Sequence, residues 1–181
     1  MKCAFLDRDG VINFDYGYVG TWDAFDLLPN AIEGMRLLQD LGFSLIIVTN
    51  QSGIARGYYS ENEFLKLTAT LGEYLEGYGI FITRTYYCPH HPVAGKGKYR
   101  RYCECRKPKP GLIEQCSNEY DVDLKNSILI GDKISDCRAG KSAGVGRLFL
   151  IESDHPREQK GLESDFFVCR DILEVAEKIS L

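Results

Sequence analysis

The stretches of this 181-residue chain best equipped for chemistry are Asp7-Arg8-Asp9-Gly10, Thr49-Asn50-Gln51-Ser52-Gly53, Arg106-Lys107 and Gly131-Asp132-Lys133, with Asp136 shortly after the last. Any one of these aspartates alone would serve equally well as a helix cap. Asp7, Asp9, Asp132 and Asp136 gathered at one place are different, because unpaired carboxylates repel and are costly to hold without a cation. Oxygen-only ligands of this kind suit Mg²⁺, a hard ion that keeps several waters and shares its shell with phosphate. A carboxylate nucleophile, a metal site, the hydroxyl of Thr49 and the ammonium of Lys107 make a set suited to phosphoryl transfer through an aspartyl-phosphate. The chain has no Gly-x-x-x-x-Gly-Lys-[Ser/Thr] loop and no Gly-x-Gly-x-x-Gly turn, which disfavours nucleotide binding.

A second group is softer. Cys88-x-His90 is followed, twelve residues on, by Cys103-x-Cys105. Residues two apart in an extended segment point the same way, so each pair can bite one ion while His91 points elsewhere. The set reads as a structural Cys₃His zinc site. Two alternatives stand beside it: buried reduced cysteines with a chance histidine, and a zinc knuckle that binds nucleic acid. The four other cysteines, Cys3, Cys116, Cys137 and Cys169, sit among apolar neighbours and read as core fillers.

The elements that must position these groups alternate along the chain. Short apolar runs lie at 2–6, 43–48, 80–87, 127–130 and 147–151, and several are nearly continuous, as expected of parallel strands covered on both faces. Helical patterns lie between and after them at 30–41, 60–78, 111–120, 136–143 and 171–179, the second opening with Ser60 and Glu63 in capping-box spacing. The expectation is an α/β fold: a Rossmann-like, mainly parallel sheet with helices on both faces. In such sheets ligands bind at the carboxyl ends of the strands, where the acidic and polar turns fall. Two long loops, 7–30 and 88–110, are of a length usually reserved for function.

Composition supports one domain over residues 1–181, with 44% hydrophobic and 27% charged residues. The start of the chain meets Asp7 too early for a signal peptide, and a cytoplasmic location is expected. A net charge of −4 argues against a nucleic-acid binder. Yet residues 96–109 carry seven cations against the single anion Glu104, which points to a small anionic ligand.

Asp7-x-Asp9-Gly10-x-Ile12, Thr49, Lys107 and Gly131-Asp132-x-x-x-Asp136 resemble, in order, the four motifs of the haloacid dehalogenase superfamily of phosphatases. The resemblance implies that Asp7 is the nucleophile and Asp9 the general acid, then base. It makes Thr49 and Lys107 the phosphoryl clamps. Asp7, the backbone of Asp9, and Asp132 become Mg²⁺ ligands, with Asp136 supporting them. Because dehalogenases lack the second aspartate, a phosphate ester is the implied substrate.

A narrower resemblance rests on Cys88-Pro-His-His-Pro92, Cys103-Glu-Cys105-Arg-Lys-Pro-Lys-Pro-Gly111, Asn50-Gln51-Ser52-Gly53-Ile-Ala-Arg-Gly57 and Asp15-Tyr16-Gly17-Tyr18. These are similar to the D-glycero-D-manno-heptose 1,7-bisphosphate 7-phosphatases, a capless branch with a zinc loop, here 88–110. Histidinol-phosphate phosphatases share that loop and are the alternative. The resemblance implies removal of the C7 phosphate of a sugar bisphosphate, catalytic Mg²⁺, structural Zn²⁺, a monomer, and neither nucleic-acid nor membrane partners. Asp15, Tyr16, Gly17, Tyr18, Asn50, Gln51 and Ser52 are then expected to read the sugar, and Arg106 to hold the phosphate that stays. Lys133 and Arg56 are candidates for adding to the anion field.

Overall fold

The computed structural model describes residues 1–152 and 165–181. Its sheet has six strands: β1 (Cys3–Leu6), β2 (Ser44–Asn50), β3 (Ile82–Cys88), β4 (Ile128–Gly131), β5 (Arg147–Ile151) and β6 (Phe166–Cys169). They lie in the order β3-β2-β1-β4-β5-β6, and every pairing is parallel. The helices are α1 (Ala31–Asp40), α2 (Ser52–Arg56), α3 (Glu61–Glu76), α4 (Gly111–Glu119), α5 (Ile134–Ala143) and α6 (Ile172–Ser180).

The period of two along each strand divides the core into two layers. Ala4, Leu6, Leu45, Ile47, Ile128 and Ile130 face α1, α3 and α6. Cys3, Phe5, Ile46, Val48, Leu129 and Leu148 face α4 and α5. Both faces of β1 are fully covered, which is why its four residues read as one apolar run. On α3, Phe64, Leu67, Leu71 and Leu75 are buried, each contributing about 1.5–3 kcal/mol of burial. Ser60 and Glu63 close the expected capping box at its start. Asn30 does not cap α1; its amide donates to Asp171 at 2.8 Å, tying α1 to the start of α6.

Two elements were not expected. Strand β6 has only four residues and lies at the sheet's edge with Phe167 exposed, so it lacks the continuous apolar signature of the inner strands. Helix α2 is a single turn after β2, too short to show a period. Strand β2 also runs on through Thr49 and Asn50, which makes these side chains part of the sheet rather than of a following turn.

Chain order reverses at β1: β2 lies on one side and β4, after a long crossover, on the other. A crevice opens beyond the strand ends at such a switch. Leu6 pairs with Ile47 and with Ile130, so Asp7 leaves the sheet between β2 and β4.

Candidate active site

Asp7 follows β1 without a break; its N–H donates to Ile130 O at 2.9 Å. Its Oδ1 accepts from Arg8 N at 2.8 Å and lies 3.0 Å from Lys107 Nζ. That ammonium also lies 2.7 Å from Asp136 Oδ1 and donates to Val48 O at 2.7 Å. Asp136, on the first turn of α5, accepts from Lys133 N through its other oxygen at 3.0 Å. Lys107 is buried, yet its charge is retained: Asp136 and Asp7 outweigh the cost of burial and hold its pKa above the ordinary lysine range.

Carboxylate oxygens of Asp7, Asp132 and Asp136 come within 4.8 Å of one another, all on buried residues. Burial, with Asp136 and Asp9 adding to it against Lys107, pushes Asp7 up to about 6. Burial and the charges of Asp7 and Asp136 push Asp132 up to about 8. Both buried oxygens of Asp132 lack a hydrogen-bond partner. Buried oxygens that accept no hydrogen bond, with Lys133 Nζ standing 3.3 Å from one of them and two more carboxylates beside them, fit a hard divalent cation, and Mg²⁺ suits the donor set. Glycine makes this packing possible at two positions. A Cβ on Gly10, whose φ is +85°, would fall 2.5 Å from the Asp132 carboxyl, and one on Gly131 would fall 2.3 Å from Asp136 Cβ.

Asp9 points away from the acidic cluster. Its oxygens accept from Arg8 Nη2 at 2.8 and 3.0 Å, from Asn13 Nδ2 at 3.0 Å and from Gln51 Nε2 at 2.9 Å. Gln51 Nε2 also donates to Thr49 Oγ1 at 2.9 Å, and Tyr59 OH donates to Gln51 Oε1. Arg8 is buried between Phe25 and Phe64, 5.7 Å from each ring centroid, and donates to Val19 O at 2.7 Å. The expectation of Asp9 as a Mg²⁺ ligand concerns its backbone alone; its side chain belongs to this second network.

Beyond the two groups lies a cleft of about 560 Å³. Asp7, Asp9, Thr49, Lys107 and Asp136 form its floor, and Asp15, Gly17 and Tyr18 line it from the first loop. Asn50, Gln51, Ser52, Arg106 and Lys133 complete the expected set around it. Lys133 Nζ reaches Asp15 at 3.1 Å and Asp132 at 3.3 Å. Tyr16 does not reach the cleft: it is 61% exposed and stacks on Phe14 instead, because the turn at Gly17 sends the two tyrosines to different sides. Asp132 lies under Gly10 and opens on a smaller neighbouring cavity. Sequence reasoning missed Arg8, Asn13 and Tyr59. The only hint of Tyr59 is a pair of glycines: a Cβ at Gly20 or Gly53 would strike its ring at 2.3 Å.

The cysteine–histidine group also closes. Cys88 Sγ lies 3.6 Å from Cys103 Sγ and 3.7 Å from His90 Nδ1, and His90 Nδ1 lies 3.3 Å from Cys105 Sγ. A tetrahedral zinc with bonds of about 2.0–2.3 Å has ligand–ligand edges of roughly 3.3–3.8 Å, so these residues fit that ion. Neighbouring Cys88, then His90 and Cys103, hold the Cys105 thiol down to about 5 against the effect of burial. Arg106 and Lys107 follow directly, and Arg106 Nη1 donates to His90 O at 3.3 Å.

Comparison with known proteins agrees with this geometry. Residues 104–175 match the HAD-hydrolase-like family. The chain is 42% identical to the D-glycero-beta-D-manno-heptose-1,7-bisphosphate 7-phosphatase of Pasteurella multocida, over 98% of this chain and 96% of that one. It is also 42% identical to the D-glycero-alpha-D-manno-heptose-1,7-bisphosphate 7-phosphatase of Photorhabdus laumondii, over 96% and 97%. Among solved structures, the D,D-heptose 1,7-bisphosphate phosphatase of B. bronchiseptica, complexed with magnesium and phosphate, superposes with a TM-score of 0.87 at 32% identity, covering 99% of this chain and 98% of that one. These matches do not favour the histidinol-phosphate or zinc-knuckle alternatives.

Proposed function

The chain belongs to the D-glycero-D-manno-heptose-1,7-bisphosphate 7-phosphatases among the HAD-like hydrolases, and from that premise we propose that it converts the 1,7-bisphosphate to heptose 1-phosphate and inorganic phosphate. One observation carries the reading: Lys107 is held between Asp7 and Asp136 beside the buried carboxylate of Asp132, at the ends of β1 and β4.

Asp7 attacks phosphorus, forming an aspartyl-phosphate as the ester P–O bond breaks. Arg8 N–H and Lys107 fix Oδ1, which sets the orientation of the attacking group. Asp9 gives a proton to the departing sugar oxygen and then takes one from the water that hydrolyses the acyl phosphate. Arg8, Asn13 and Gln51 hold the Asp9 carboxylate for both transfers. Thr49 and Lys107 bind phosphoryl oxygens. Asp7, Asp132 and the backbone of Asp9, supported by Asp136, would hold Mg²⁺, which when bound offsets charge on the phosphoryl oxygens. Structural zinc would be held by Cys88, His90, Cys103 and Cys105, which fixes the loop directly before Arg106 and Lys107.

Residues 1–181 act as one capless unit, monomeric and without nucleic-acid or membrane partners. No helix among the described residues is long and apolar enough to cross a membrane. The reduced thiolates a zinc site needs favour the cytoplasm. Relatives named for the beta and for the alpha anomer are equally similar, at 42% identity each. The test is phosphorus NMR of the products from both anomers. Heptose 1-phosphate is expected, and heptose 7-phosphate, or no turnover of either anomer, refutes the reading.

A further inference from the structure

Arg56 closes α2, and its guanidinium has an unfavourable neighbour. Its Nη2 lies 3.3 Å from His91 Nε2. The far side of the ring decides which nitrogen bears hydrogen. His91 Nδ1 accepts from Val93 N at 3.2 Å and from Ala94 N at 2.9 Å. A ring nitrogen that accepts carries no proton, so the imidazole hydrogen is on Nε2. Two hydrogen-bearing nitrogens therefore face each other. Arg56 Nε is also buried without a partner. Donors brought together like this lack an acceptor that must come from outside the chain.

The fold imposes the meeting. The segment between the Cys88–His90 and Cys103–Cys105 pairs lies across α2: Lys96 N donates to Ala55 O at 2.8 Å, and His91 N donates to Tyr99 O at 3.1 Å. Tyr99 OH in turn donates to Glu61 on α3 at 2.7 Å. Arg56 lies over the Tyr18 ring at 5.5 Å, and Tyr18, at a φ of +60°, lines the cleft. Arg106 lines it too, and both Arg106 and Arg56 act on the His91 ring as positive charges.

We propose that Arg56 and the Nε2–H of His91, beside the Tyr18 end of the cleft, join Arg106 in holding the phosphate that is not removed. The identity of that anion rests on the bisphosphate reading above. One phosphate oxygen between Arg56 and His91 accepts from both, and a guanidinium offers a second parallel bond. A monophosphate ester leaves the subsite empty. Arg56 and His91 are thus specificity residues, remote from the bond that breaks.

The test uses the full chain loaded with zinc and Mg²⁺ and the variants Arg56→Gln and His91→Asn. The asparagine keeps an acceptor for the Val93 and Ala94 N–H groups and removes the Nε2 donor. For heptose bisphosphate each variant is expected to lose kcat/KM by roughly ten- to hundredfold, chiefly through KM. On p-nitrophenyl phosphate the loss is expected to be about tenfold smaller or less. Zinc content and melting temperature show whether the variants are folded. Independently, inorganic phosphate titrated into ¹⁵N-histidine-labelled protein is expected to shift the His91 Nε2 resonance, and to leave it in place in Arg56→Gln. Equal losses on both substrates, undiminished bisphosphate turnover, or an unmoved His91 signal overturn the subsite. Wild-type protein inactive on both anomers, with a His91 signal that answers phosphate, refutes the functional reading and supports the subsite.

Discussion

Asn50 and Lys107 clasp one another across 57 residues of sequence: Asn50 Nδ2 donates to Lys107 O at 3.1 Å, and Lys107 N donates to Asn50 Oδ1 at 3.1 Å. Both groups of the lysine's peptide are thereby fastened to the end of β2. Asn50→Ala is expected to destabilise by roughly 1–3 kcal/mol and to lower kcat on every phosphate ester alike. Asn50→Asp, which sets a carboxylate against the Lys107 carbonyl, should be worse. Thermal melts with kinetics on two esters check this; a loss confined to one ester contradicts it.

Asp7→Asn removes the proposed nucleophile and should abolish turnover without unfolding the chain. Asp9→Asn removes proton transfer to the leaving group and from water, a deficit on the order of 10²–10⁴. Phosphate release at saturating Mg²⁺ decides, and near wild-type rates in either variant reject the assigned roles.

The acidic cluster makes stability depend on pH when no cation is bound. Burial raises the pKa of Asp7 to about 6 and of Asp132 to about 8, from an ordinary 3.8, so the folded chain binds more protons than the unfolded one in between. Stability of the Mg²⁺-free protein therefore falls as pH rises from about 4 to about 8 and is level above. Added Mg²⁺ should raise the melting temperature more at pH 8 than at pH 5, where it competes with protons. Scanning calorimetry in chelator and in Mg²⁺ measures this, and a larger Mg²⁺ effect at pH 5 reverses the sign.

Cys103→Ala or Cys105→Ala should lower melting temperature and activity together, because zinc binding and loop order are coupled. Metal analysis should find about one zinc per chain in the wild type. Zinc-free protein with full activity and an unchanged melting temperature would return these cysteines to the core.

The parts of the site that were legible share one property: their chemistry is local in sequence. Asp7 and Asp9, Cys88 and His90, and Cys103 and Cys105 are each two apart, and each falls beside an apolar run or turn that announces where it will sit. Arg8 is the opposite case. In sequence it is a cation between two aspartates. Its burial depends on Phe25 and Phe64, and its partner Val19 O lies in a loop, so no spacing betrays it. Tyr59 likewise acquires its place only when Gly20 and Gly53 meet over its ring. Among the elements, inner strands were readable through burial on both faces, whereas β6 was not, because an edge strand of four residues carries no such run.

The crowded ammonium of Lys107 has a consequence for turnover. Asp7, Asp136 and Val48 O already surround it, matching the three hydrogens it has to give. An arriving phosphoryl oxygen must therefore displace one of these acceptors, and binding becomes a trade instead of a net gain. Inorganic phosphate, once released from Asp7, meets the same competition in reverse, as a carboxylate stands ready to reclaim the lysine. Weak retention of the product is the expected consequence, and product inhibition by inorganic phosphate at millimolar rather than micromolar concentration is how it would be read.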